Sequence, residues 1–138
     1  MVSNVLRAAR HGGDGRPAPG HEEADMEYLL FICTDPEGEQ PAPDDLTIEQ
    51  WGADVDARGV WRHGDRLRPV EAATTVRRRG DRVVLTDGPF AETREHIAGY
   101  DVIEAADLDE AVAVAAAHPM ARAGRIEVRP VWPLDAGD

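Results

Sequence analysis

Met26-Glu27-Tyr28-Leu29-Leu30-Phe31-Ile32-Cys33 begins an abrupt apolar run, and from Tyr28 to Ile32 both faces of an extended chain are apolar. A strand that alternates shows one wet face. A strand apolar on both faces belongs in the middle of a sheet covered on both sides. The elements around it follow from spacing. Asp35 to Pro43 mixes prolines and a glycine with acids and reads as a loop. Leu46, Ile48, Trp51 and Val55 then recur near helical spacing, with Asp44, Asp45 or Thr47 as N-cap and Gly59 as the stop, which predicts a helix over about 45–58. Val60 and Trp61 start a second strand, expected to break at His63-Gly64-Asp65 and resume from Leu67 to Pro69. Residues 73–79 and 82–87 are rich in β-formers and flank Gly80-Asp81, the pattern of a two-residue hairpin.

Ala98 to Ala105 reads as a further strand around Tyr100, Val102 and Ile103. Asp107 followed by Glu110 starts a second helix whose apolar face is Leu108, Ala111, Val112, Ala115 and Ala116, ending at Pro119. Arg125 to Val131 alternates Ile126 and Val128 with Glu127 and Arg129, a strand with one wet face. The order strand, helix, strand, hairpin, strand, helix, strand predicts an α+β fold, with two helices on one face of a mainly antiparallel sheet. Such a sheet leaves its other face to be covered, and a homodimer is expected to cover it.

Composition bounds the function. The chain has 138 residues, a net charge of −12 and 42% apolar residues, which fits one domain able to bury its own core. Every one of its 15 basic residues is arginine, so lysine-amine chemistry is excluded. Against 27 acids, those arginines also argue against nucleic acid. The one basic run, Arg77-Arg78-Arg79, alternates across a strand and forms no patch. The single Cys33 permits no internal disulfide, fits a reducing compartment, and is expected to be buried and inert. No stretch approaches 18 apolar residues, so no membrane segment is expected and the location expected is cytoplasmic. Five histidines show no HxH or HxxxH spacing, so neither a metal nor a cofactor is expected.

Residues 1–25 are rich in glycine, proline, arginine and acids, and are expected to be a disordered N-terminal extension, with the natural start at Met26. Removing their three arginines and four acids leaves a net charge of −11, so the acidity belongs to the domain at 26–134. Residues 135–138 are expected to be a tail.

Asp87-Gly88-Pro89 is turn chemistry at the end of a hairpin strand, with Phe90 as its apolar anchor. The longer stretch Asp87-Gly88-Pro89-Phe90-Ala91-Glu92-Thr93-Arg94-Glu95 resembles the motif of the DGPF branch of the YCII-related family. The resemblance extends through Met26–Leu30, Leu67-Arg68-Pro69, Ala73–Arg77, Asp107–Ala111 and Ile126–Val131, covering nearly all of 26–134. It implies a ferredoxin-like fold that pairs as a dimeric α+β barrel. It also implies association with an extracytoplasmic-function sigma factor, beside which many such proteins are encoded.

Some YCII-related members use a histidine on the first helix with an aspartate preceding a proline after the second. In this sequence that aspartate is replaced by His118-Pro119, and the first helix has no histidine, so the lyase-like activity does not carry over residue by residue. The location does: a pocket between sheet and helices, near the DGPF loop and the end of the second helix. The candidate catalytic residues there are Asp87, Glu92 and His118, with His96 as a further titratable group. Arg94, Phe90 and Arg68 are the candidate ligand-binding residues, the arginines for an anion. The alternative role for His118 is a cation favoured by the helix C-terminus. His63 and Asp65 form a second His/Asp pair, expected to make only a turn. Two functions follow: a dimeric small-molecule-binding or regulatory protein with a sigma-factor partner, or a small cofactor-free acid/base enzyme acting on a small polar substrate.

Overall fold

The computed structural model describes residues 26–88 and 96–136. The expectations made for residues 1–25, and for Phe90, Glu92 and Arg94, fall outside the described residues. Six strands and three α-helices follow in the order β1 (Met26–Cys33), α1 (Ile48–Ala57), β2 (Trp61–Arg66), β3 (Thr74–Arg79), β4 (Arg82–Asp87), β5 (Ile97–Ala105), α2 (Leu108–Ala116), α3 (Met120–Ala123) and β6 (Arg125–Pro130). Single 3-10 turns lie at Val70–Ala72 and Leu134–Ala136, the latter straddling the boundary between the domain expected to end at 134 and the tail expected from 135.

Four strands pair in the order β2-β5-β1-β6, every neighbour antiparallel, which is the ferredoxin-like arrangement. The apolar run at 26–33 occupies an inner position, as its two-faced pattern demands. Tyr28, Leu30 and Ile32 are buried in the core with Trp51 and Val55 of α1 and Ala111, Val114 and Ala115 of α2. The opposite face carries Leu29, Phe31, Tyr100 and Val102, all half-buried. Cys33 shares that face, so it is half-buried where full burial was expected; its thiol donates to Phe31 O at 3.6 Å.

The helix ends follow their caps. Thr47 is the N-cap of α1: its hydroxyl accepts from Gln50 N at 3.1 Å, and Gln50 Oε1 accepts from Thr47 N at 2.8 Å. This reciprocal pair starts the helix at 48, three residues later than the apolar spacing suggested. Gly59, at φ 70, stops it. Asp107 Oδ1 accepts from Glu110 N at 2.9 Å to begin α2. Pro119 does not end the helical course: after Ala117 the chain turns once more as α3, a third helix that apolar periodicity cannot signal in four residues.

Two further expectations are corrected. His63-Gly64-Asp65 does not interrupt β2, which runs unbroken from Trp61 to Arg66 with a register shift between Trp61 and His63. The β3–β4 hairpin turns at Gly80, φ 61, as predicted, but forms its own two-stranded sheet. Its stripe Val76, Val83 and Leu85 is exposed.

Candidate active site

Asp101 sits on β5 in the same phase as Gly99, Ile103 and Ala105, so its side chain turns to the buried, helix-covered face of the sheet. It is 4% exposed. A carboxylate there loses its hydration, and burial pushes its pKa up to about 7, opposed by the indole N–H of Trp61 and reinforced by the negative charge of Asp65. Trp61 Nε1 donates to Asp101 Oδ1 at 2.8 Å, a buried contact between residues 40 apart in sequence. Gly64 faces Asp101 across the β2–β5 ladder. A Cβ at position 64 would lie 2.1 Å from Asp101 Oδ1 and 2.6 Å from Tyr100 O. The glycine is there for that close approach.

His118 follows α2 and is 6% exposed. Burial drives its pKa down to about 4, so near neutral pH the ring is uncharged, and the expected helix-terminal cation is not what the fold makes of it. Its tautomer follows from its neighbours. Met120 N donates to Nδ1 at 2.9 Å, so the ring proton resides on Nε2. The ring packs edge-on against Trp51, with centroids 4.6 Å apart. His118 thus offers a neutral N–H donor and has no free lone pair with which to act as a base.

Both groups line one cavity of about 330 Å³ between the sheet and the helices, at the end of α2. Ile32, Pro41, Ile48 and Met120 give it apolar walls, and Asp65 and Arg66 lie at the β2 end. The volume suits a small organic molecule. His118 and Pro119 also border a second, polar groove of about 600 Å³ with Glu37, Glu39, Asp44, Asp45 and Arg122. Arg122 clamps this side: its Nε meets Asp45 Oδ2 at 2.6 Å and its Nη1 meets Glu39 Oε1 at 3.3 Å. The clamp lowers the Asp45 pKa and holds the segment carrying Pro41 against the α2–α3 turn.

The other predicted residues lie elsewhere. Asp87 is exposed at the end of β4, paired with Thr74, and lines neither the cavity nor the groove, because the hairpin carries it into the separate sheet. Arg68 is exposed beyond β2 and also lines neither. His96 accepts backbone and hydroxyl hydrogen bonds from Thr34 through its carbonyl oxygen. His63 Nε2 and Tyr100 Oη are 2.6 Å apart on the open side of the sheet. The spacing of β5 held a sign of Asp101: an acid in phase with Ile103 and Ala105. Among the described residues, no group of three histidine, cysteine or acidic side chains is gathered to hold a metal ion.

A ferredoxin-like sheet thus turns a buried acid on β5 towards a cavity that a neutral imidazole borders from the α2–α3 turn. The YCII-related domain matches residues 26–135, and the chain belongs to that family. An uncharacterized protein of Rhizobium meliloti (strain 1021) is 43% identical over 70 residues, 48% of this chain; the chain spans 55% of that protein's length. Among the described residues no helix is long and apolar enough to cross a membrane.

Proposed function

We propose that this YCII-related protein is a cofactor-free acid/base enzyme acting on a small, largely apolar substrate with one carbonyl or hydroxyl oxygen. The observation that carries the reading is the shared cavity of Asp101 and His118. Asp101, with a pKa of about 7, exchanges a proton in either direction near neutral pH, which is what general acid/base work needs. The neutral His118 donates its Nε2 proton as a hydrogen bond to the substrate oxygen and so stabilises negative charge that develops there. The reading replaces Asp87 by Asp101 as partner of His118. In this reading the protein acts as a homodimer paired through the sheet face that bears Leu29, Phe31 and Val102, as a dimeric α+β barrel. The motif from Asp87 to Glu95 favours the DGPF branch, and from that resemblance Phe90, Glu92 and Arg94 are the residues proposed to add ligand contacts, whereas Asp87 and Arg68, which do not line the cavity, are given no part in it.

The test uses a panel of small carbonyl compounds in deuterium oxide. Binding is followed by ligand-observed NMR, and exchange of the proton beside the carbonyl is followed in time. Exchange catalysed by the wild type and abolished in Asp101→Asn is the expected result. Binding without exchange by any compound favours the regulatory ligand-binding reading, with its sigma-factor partner, and refutes the enzyme.

A further inference from the structure

The Asp101 carboxylate is mounted from β2. Trp61, on the N-terminal side of the register shift, reaches Oδ1 with its indole N–H, and Gly64 leaves room for that oxygen against the ladder. Both mounting residues are themselves buried, Trp61 at 2% exposure. A carboxyl oxygen that accepts a hydrogen bond from an N–H cannot at the same time direct a proton at that donor. The two oxygens of Asp101 are therefore unequal.

We propose that Trp61 and Gly64 are positioning residues that decide which oxygen of Asp101 exchanges a proton: Oδ1 is tied to the indole, and Oδ2 carries the proton and faces the cavity. This rests on the acid/base reading of the site and goes beyond it by assigning the reactive atom. A side chain at position 64 would drive Oδ1 away, break the indole contact and let the carboxyl rotate, so that either oxygen meets the cavity. The groups that act on this carboxyl are Trp61 and Asp65 from β2, with His118 bordering the same cavity from the α2–α3 turn.

The experiment needs no substrate. On the full chain, the Asp101 carboxyl ¹³C signal and the Trp61 indole ¹H–¹⁵N signal are followed together against pH. The wild-type indole signal is expected to move with the same midpoint as the carboxyl, since its acceptor changes from carboxylic acid to carboxylate. In Trp61→Phe the carboxylate loses a donor, and the Asp101 midpoint is expected to rise by about one pH unit or more. In Gly64→Ala the co-titration of the indole is expected to vanish. An indole signal that stays fixed through the Asp101 transition in the wild type overturns the proposal, whether or not either variant folds. An unmoved Asp101 midpoint in folded Trp61→Phe overturns it as well. These outcomes are separable from the fate of the enzyme reading, because the carbonyl-exchange assay can fail while the titration succeeds, and the reverse.

Discussion

Replacing Asp101 by Asn should make the protein more stable above neutral pH, and the gain follows from linkage. The carboxyl titrates at about 7 in the folded chain against 3.8 when solvated, so between those values the folded state holds a proton that the unfolded state has lost. Each pH unit in that window then removes about 1.4 kcal/mol of stability, and the whole window about 4 kcal/mol as an upper figure. Asn resembles the protonated acid in shape and still accepts from Trp61 Nε1, so near pH 4 the variant and the wild type should match. Above pH 7 the variant should be more stable by up to about 4 kcal/mol. Urea unfolding followed by tryptophan fluorescence at a series of pH values measures the difference directly. A difference that stays flat with pH would refute the reasoning, because it would mean that Asp101 keeps an ordinary pKa in the fold. A variant that is stabler and inactive is what a site built on a buried acid predicts.

His118 provides the mirror image: its pKa of about 4 against 6.5 means that acidification through this window favours the unfolded chain. His118→Gln should therefore gain up to about 3 kcal/mol over the wild type as pH falls from 6.5 to 4, measured by the same unfolding series. In the wild type the Asp101 and His118 slopes oppose each other, so a nearly level contribution from this pair over that range is expected. Trp51 is fully buried and its Nε1 donates to Val114 O at 3.0 Å, so Trp51→Ala should cost about 3–5 kcal/mol in the same assay. Phe31→Asp, on the sheet face away from the helices, should give a monomer by light scattering while the wild type is a dimer; a monomeric wild type sinks the homodimer.

Much of the fold was legible because its signals are local. The two-faced apolar run at 26–33, the Gly80-Asp81 turn and the Asp107 cap each depend on residues within a few positions, and each lies in the structure where its chemistry places it. The exact start of α1 was less so, since Asp44, Asp45 and Thr47 are all competent caps and only Thr47 has Gln50 three residues on to close the reciprocal pair. His63-Gly64-Asp65 misled for a different reason. Glycine between polar residues suits a turn, and the reason for Gly64 is a carboxylate on another strand.

The sequence by itself determined the order of the six strands and the two longer helices, the inner position of β1, the arginine-only set of cations, and His118 as a group worth watching. What only the tertiary structure decided is which groups meet and in what state of charge. Asp101 and Trp61 are brought together by the β2–β5 ladder across 40 residues of chain, and Asp87 is carried away from His118 by a hairpin that, among the described residues, forms its own two-stranded sheet. Burial then moves the pKa of Asp101 and that of His118 in opposite directions, because desolvation penalises whichever form is charged. No local pattern of residues contains that information, since the solvent each side chain loses is removed by elements far away in the chain.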